Sequence, residues 1–308
     1  MSDKKNILIT GGVGFIGSNL SERLMKEGHN VFSIDDYSFG KKENEHDNIK
    51  YIKDDIENIS SITKSIDICY HLAAKARVQP SFDDPVDYFR VNARGTMEVM
   101  EWAKKNNVKV VYAGSSSKHF SPEDSPYAMY KYLGEQICKL YKKSYGLKVE
   151  IARFYNVYGP RENRDEKFGN VIGIWTTKAI KGEPLPIVGD GMQRRDFTHV
   201  NDIVDGLIKI GFSDISQEDG WELGTGNNYS VNELFEMFKL RFNAKSVSIP
   251  DQPGNYKKTL RKNNKLLDLL GWEPKDRLAN QTVKIGEETQ KYDCYCKLVN
   301  VNKQMRLW

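Results

Sequence analysis

The stretch "ITGGVGFIGSNL", residues 9–20, decides how the rest of the chain is read. It overlaps the apolar run "NILIT" (6–10) and passes directly into an amphipathic segment, 15–27. Within it stand Gly12-x-Gly14-x-x-Gly17 and, in overlapping register, Gly11-x-x-Gly14-x-x-Gly17. Glycines so spaced allow a tight turn, bring backbone N–H groups onto a pyrophosphate and let the helix pack closely on the sheet. The positive end of that helix then faces the anion. A tight turn with no ligand is the plain alternative, but a strand before it and a helix after it favour a dinucleotide site. Gly11, Gly14, Phe15, Ile16 and Gly17 are its candidate contacts.

Working outward, "NVFSID" (30–35), "IKYIKDD" (49–55), "IDICYHLA" (66–73), "VKVVYAG" (108–114) and "LKVEIARF" (147–154) read as further short strands. Amphipathic stretches separate several of them, clearest at 86–105 and 127–145. Strands alternating with helices predict βαβ units and a parallel sheet covered on both faces. The fold class is therefore α/β, a Rossmann-type doubly wound sheet, with its ligand at the carboxyl ends of the strands. Beyond residue 156 the pattern becomes irregular and richer in Gly and Pro, which predicts a smaller C-terminal α/β substrate-binding lobe with short helices near 171–181 and 231–242. The expected division is 1–156 for the dinucleotide domain and 157–280 for the lobe, with 196–210 packing back on the first. The tail 281–308 has no clear periodicity and receives no functional reading.

Asp35 ends the second strand 18 residues after Gly17. A carboxylate there accepts hydrogen bonds from the adenosine ribose and repels a 2′-phosphate, which favours NAD over NADP. The alternative is that Asp35 or Asp36 merely starts the turn "DDYSFG". A net charge of +4 is too small for a nucleic-acid-binding excess, and no apolar run reaches a membrane span. "MSDKKNILIT" carries no signal-peptide core. Cys69, Cys138, Cys294 and Cys296 form neither a CxxC pair nor a Cys/His cluster, so neither a metal site nor a disulfide framework is expected. The expected setting is the cytoplasm.

Tyr127 and Lys131, in "SPYAMYKYLGEQ" (125–136), stand one helical turn apart. On spacing alone they are either an acid–base couple or two ordinary residues on a helix surface. The chain as a whole resembles the extended short-chain dehydrogenase/reductases, in particular their NAD-dependent nucleotide-sugar epimerase/dehydratase group. The resemblance runs in order through "TGGVGFIGSNL", "IDDYSFGKKEN", "DDIEN", "HLAAKARVQPS", "VNARGTMEVMEWA", "VVYAGSSS", "SPYAMYKYLGEQ", "RFYNVYGPREN" and "GDGMQRRDFTHVNDIVDG". It implies that Tyr127 and Lys131 are the catalytic pair, with Ser115 as third member and Ser116 as the fallback. Asp55 and Ile56 would flank the adenine, and Leu72, Ala73 and Lys75 would line the cofactor, as would Asp35 and Asp36. Asn92 would steady the strand ends, and Tyr155 would lie by the nicotinamide. Asn156, Asn170, Val171 and Arg195 would hold the nucleotide-diphosphate sugar; an ion pair of Arg195 with Asp196 is the alternative for that residue. The resemblance also implies a homodimer through the helices at 86–105 and 127–145.

A tyrosine titrates near pH ~10, so its use as a base requires a nearby cation, expected to be Lys131 together with the bound nicotinamide. Ser116-Ser117 stand where 4,6-dehydratases have Asp-Glu, and the glutamate of the decarboxylases is also missing. The expected function is thus 4-epimerisation by oxidation and hydride return. A dehydrogenase releasing the 4-keto sugar is the alternative, and a 4,6-dehydratase fits less well. Two departures from the pattern bear on the substrate: the short loop "SKHFSPED" and Gln252 where an Arg often contacts the diphosphate. His119 in that loop is either an additional acid–base group or a solvent-exposed residue.

Overall fold

Strands of a parallel sheet are buried on both faces, so they must be apolar throughout rather than alternating. The segment Asn6–Thr10 (β1) meets this requirement, with Ile7, Leu8, Ile9 and Thr10 all buried. The computed structural model describes residues 4–279; the tail 281–308, with Cys294 and Cys296, lies outside the described residues. After β1 come α1 (Phe15–Lys26), β2 (Asn30–Asp35), β3 (Lys50–Lys53), β4 (Ile68–His71), α2 (Gln79–Asp83) and α3 (Pro85–Phe89). Next are α4 (Gly95–Asn106), β5 (Lys109–Ser115), α5 (Pro126–Tyr145), β6 (Val149–Phe154) and β7 (Asn156–Tyr158). The remainder is α6 (Val171–Lys181), β8 (Leu185–Val188), β9 (Arg194–Arg195), β10 (Phe197–His199), α7 (Val200–Phe212), β11 (Trp221–Leu223), β12 (Tyr229–Ser230), α8 (Val231–Phe242), β13 (Ser246–Ile249) and α9 (Lys265–Leu270).

Seven parallel strands form the main sheet in the order β11-β6-β5-β4-β1-β2-β3. The order reverses between β1 and β4, and a crevice opens outside the strand ends at such a switch point. In α1 the buried positions Gly17, Leu20, Ser21 and Leu24 recur at helical spacing and set one face against the sheet. One core lies on that face, where Leu20, Ile203, Leu207, Trp221 and Trp272 pack together. The other face is covered by α4 and α5, with Val99, Met100, Trp102, Cys138 and Tyr141 in its core. A third core, around Trp175, Leu234 and Phe238, belongs to the lobe built on α6 and α8.

Three differences from the sequence reading are informative. The expected boundary at 156/157 is crossed not only by α7 but also by β11, an edge strand, and by Leu266 and Trp272, which join the first core. A three-residue strand with Glu222 at its centre has no apolar run to announce it. The expected helix 86–105 is α3 and α4 joined by one π-helical turn, Arg90–Arg94. Within the segment 196–210, expected to pack back on the first region, the strand at 197–199 pairs with β7 in a small separate sheet, and α7 joins the first core.

Behind the strand ends lies a buried ion network. The Arg153 guanidinium, fully buried on β6, contacts Glu135 of α5 at 2.9 Å, Glu222 of β11 at 3.0 Å and Asp219 at 3.0 Å. Burial alone would lower the pKa of Arg153, but the carboxylates outweigh it and the net shift is upward. Replacing Arg153 by Met leaves Glu135 and Glu222 buried without their cation. The expected result is a loss of about 3–5 kcal/mol in urea denaturation; a loss below about 1 kcal/mol, the value of a surface pair, would show that the network bears little of the fold.

Candidate active site

A cavity of about 1120 Å³ occupies the switch point and continues into the lobe. Pockets for one drug-sized ligand run to roughly 300–1,000 Å³, so this cleft has room for more than one small molecule. Its floor begins at the glycine turn. Gly11 sits at φ +73°, and a side chain there would press on the Ala73 backbone at 2.9 Å. A Cβ on Gly17 would lie 2.0 Å from the Gly11 carbonyl oxygen, so only glycine lets α1 come this close. Gly14 caps α1 without any side-chain acceptor, and no acidic residue stands in the first turn. The first amides of a helix have no intrahelical partner. This end of α1 therefore offers a pyrophosphate a cradle of open donors, and Gly14, Phe15, Ile16 and Gly17 all line it.

Asp35 closes the cradle at the end of β2. Its carboxylate accepts from Val13 N at 3.0 Å and Tyr37 N at 2.9 Å, keeping lone pairs for ribose hydroxyls. Burial raises its pKa, and those amides offset part of the rise. Asp36, Asp55, Ile56, Leu72 and Ala73 also line the cavity. The amides of Leu72 and Ala73 both donate to Thr10 Oγ1, which fixes the ends of β1 and β4 against each other. These donors, spaces and carboxylate fit an adenine dinucleotide. Lys75 lines the cavity too, but its ammonium is paired with Asp87 at 3.1 Å. Asn92, expected among the cofactor contacts, is buried in the π-helical turn and does not line the cavity. Its amide is used up on the Lys75 backbone, accepting from N at 2.8 Å and donating to O at 2.9 Å.

Beyond the cradle, α5 presents Tyr127. Its hydroxyl donates to Ser115 Oγ at 3.3 Å, and Ser115 Oγ also accepts from Ser117 N at 3.1 Å and Ser117 Oγ at 2.9 Å. Ser116 lines the cavity without joining this cluster. Burial raises the pKa of Tyr127, and the groups that pull it back are the Ser115 hydroxyl and the Arg77 guanidinium. The expected influence of Lys131 is absent here. Its Nζ donates to the Ala113 carbonyl at 2.5 Å and stands 4.5 Å over the Tyr112 ring. Burial takes Lys131 down to about pH 8, against a smaller upward pull from Glu135. The physical reason is reach: the long side chain lies along the strand and satisfies a carbonyl instead of turning to the phenol.

Tyr155 lines the cavity while its hydroxyl donates to Glu222. His119, whose ring contacts Glu222 at 3.0 Å, is tied into the same buried network, which decides against the solvent-exposed reading. Phe120 stacks on Tyr256 with ring centroids 3.8 Å apart, joining the short loop to the lobe. Neither Glu222 nor Arg153 was singled out from sequence; a carboxylate inside a three-residue strand gives no signal before its partners are known.

On the lobe side, Arg195 lines the cavity, with Nη1 donating to Tyr256 O at 2.6 Å and Nη2 to Asn255 Oδ1 at 2.6 Å. The alternative pairing with Asp196 does not occur: that carboxylate accepts from Thr225, Gly226 N and Arg261 N. Burial brings the pKa of Arg195 to about 10. Asn170 spends its side chain on structure, capping α6 through Gly173 N at 3.0 Å and donating to Val157 O. What remains for a ligand there is the start of α6 at Val171, a second helix N-terminus facing the cleft. Asn156 lines the same wall and reaches Thr259 Oγ1 at 3.3 Å.

Comparison with known proteins agrees with this arrangement. The UDP-glucose 4-epimerase of Mycolicibacterium smegmatis is 32% identical over 310 residues, covering 91% of this chain and 97% of that one. UDP-glucuronic acid decarboxylase 1 of Xenopus tropicalis is 31% identical over 299 residues, covering 88% and 69%. The crystal structure of UDP-glucose 4-epimerase from Thermotoga maritima with UDP-glucose superposes with a TM-score of 0.85 at 30% identity, covering 93% of this chain and 99% of that one. The sequence model of the NAD dependent epimerase/dehydratase family matches residues 7–214, which span the glycine cradle, Asp35, Ser115, Tyr127, Lys131 and Arg195. The chain belongs to the NAD dependent epimerase/dehydratase family.

Proposed function

We propose that this protein is an NAD-dependent 4-epimerase of UDP-sugars. The observation that carries the reading is the continuity of the cleft. The glycine cradle with Asp35, the Tyr127–Ser115 pair, Arg195 and the start of α6 all line the same cavity. The relatives named above, which act on UDP-sugars, support the nucleotide. Asp35 favours NAD, because a carboxylate repels the extra phosphate of NADP.

The bound nicotinamide supplies the acceptor, and later the donor, of a hydride at C4. Tyr127 Oη takes the proton of the C4 hydroxyl and returns it after the sugar has turned its other face. Ser115 Oγ holds that hydroxyl and hands hydrogen bonds between substrate and tyrosine. A buried phenol is a poor base, and Arg77 with the Ser115 hydroxyl offsets only part of the burial. Lys131 would hold the cofactor ribose and would add positive charge near the phenol. Arg195 and the α6 terminus hold the diphosphate by a planar donor fork and open amides. Elimination of water has no support, since Ser116 and Ser117 bring no ionisable group and Ser117 Oγ is bound to Ser115.

UDP-glucose, UDP-galactose and the corresponding hexuronates, supplied with limiting NAD, are expected to yield C4 stereoisomers while NADH stays substoichiometric. NADH rising one-for-one with sugar lost would establish a dehydrogenase instead, and release of CO₂ a decarboxylase. Tyr127→Phe should lower kcat by about 10²–10⁴-fold with cofactor retained, as expected for loss of a general base. Undiminished turnover in that variant would remove Tyr127 from the mechanism.

We infer a homodimer through α4 and α5, which expose Met97 and Leu140 at 45% and 50%, as α3 exposes Val86 at 75%. Exposed apolar patches mark association surfaces. Met97→Glu with Leu140→Glu is expected to halve the mass seen by light scattering; a wild-type monomer would refute the dimer.

A further inference from the structure

Three arginines line the cleft; Arg161 is paired with Glu22, and of the other two the mechanism above uses only Arg195. Arg77 lies in the turn after β4 and lines the cavity as Tyr127 does. Its backbone sits at φ +92°, a left-handed conformation that a non-glycine residue adopts at a cost of about 1–3 kcal/mol and keeps only where its surroundings over-determine it. The surroundings do so. Asn92 clasps Lys75 from both sides, Tyr88 Oη donates to the Ala76 carbonyl at 2.7 Å, and Arg77 Nε donates to the Phe168 carbonyl at 3.0 Å. The outer fork, Nη1 and Nη2, is left with no hydrogen bond and no carboxylate within ion-pair distance among the described residues.

Burial lowers the pKa of Arg77, and Tyr127, Glu162 and Tyr88 are the groups that act on its charge. Glu162 is the one carboxylate among these. It is itself buried, its Oε2 has no partner, and burial raises its pKa to about 7, so near neutrality it is partly protonated. Arg77 is thus a partly buried cation facing the cleft without a full counter-charge, an arrangement that an arriving anion relieves.

We propose that Arg77 is a specificity-determining residue that grips a carboxylate on the sugar, making UDP-hexuronates the preferred substrates. The proposal rests on the epimerase reading and deepens it. Tyr127 serves C4, and the substituent of the adjacent C5 in a hexuronate is a carboxylate, within reach of a guanidinium beside the phenol. A planar fork matches that group with two parallel hydrogen bonds. The diphosphate is the other oxyanion of the substrate, but Arg195 and the start of α6 serve it.

The test is calorimetric titration of NAD-loaded protein carrying Tyr127→Phe, which prevents turnover, with UDP-glucuronate, UDP-glucose and UDP. UDP-glucuronate is expected to bind at least about tenfold more tightly than UDP-glucose, the scale of one charge-assisted pair. Adding Arg77→Gly suits the φ of +92°, so the thermal midpoint should not fall, yet the preference for the uronate should vanish with UDP-glucose and UDP unchanged. Equal binding of both sugars by the parent protein would overturn the proposal without touching the epimerase reading. Equal weakening of all three ligands by Arg77→Gly would reassign Arg77 to the diphosphate and overturn it as well. Failure of UDP and both sugars to bind the parent would remove the epimerase reading itself, and this proposal with it.

Discussion

The constraint on which the site depends is the buried pairing of Arg153 with Glu135 and Glu222. Tyr127, Lys131 and Glu135 stand at successive four-residue steps on one face of α5, so fixing Glu135 fixes the rotation of the helix about its axis. Arg153 holds that carboxylate from β6 and reaches across to Glu222 on β11. Glu222 in turn takes the Tyr155 hydroxyl and the His119 ring. One guanidinium therefore sets the height of the phenol, the tilt of an aromatic wall and the course of the short loop. Buried ion pairs seldom improve on apolar packing in net stability. Their use here is positional: a mixed set of side chains is held in one arrangement because any other leaves a charge unpaired.

The cleft is, by contrast, electrostatically incomplete. Lys131, Arg195 and Arg77 are all pushed toward their neutral forms by burial, and the first two occupy neutral acceptors: a strand carbonyl, a loop carbonyl and an amide oxygen. The N-termini of α1 and α6 add open amides to the same space. Each of these costs free energy in the empty protein and loses that cost when anionic ligands enter. A protein of this kind gains stability from ligands that bind its folded state, by mass action.

Much of this was legible in the sequence, and the reason is period. Buried parallel strands are written as continuous apolar runs, and α1, α5, α6 and α8 as amphipathic stretches, so their places could be read from local pattern. What pattern does not carry is pairing at a distance. The strand Trp221–Leu223 is too short to have a period, and Glu222 reads as a surface residue until Arg153, 69 positions earlier in the chain, is placed beside it. Asn92 and Asn170 show the converse. Their residue types suit ligand contacts, but each finds its partners in the backbone of the protein. Arg77 was inside a quoted motif and still went unremarked, because nothing in one sequence shows that position 77 takes a left-handed backbone.

The fold divides its labour between the sheet and the lobe. The switch point between β1 and β4 must lie where the strand order reverses, so the dinucleotide's place is set by topology. On the proposed function, the nucleotide sugar's place is set by the lobe, which comes later in the chain and returns to the sheet through α7, β11 and Trp272. Only residues that both regions hold can fix where the two ligands meet. Gln79 Nε2 reaches Pro253 O at 2.7 Å, and Arg77 reaches Phe168, so the turn after β4 is bound to the lobe at two points. That turn faces Tyr127 on one side and the sugar-binding lobe on the other. On the reading proposed above, a side chain fixed there would read the sugar, and a change of that one residue would alter substrate choice while leaving the cradle and α5 in place.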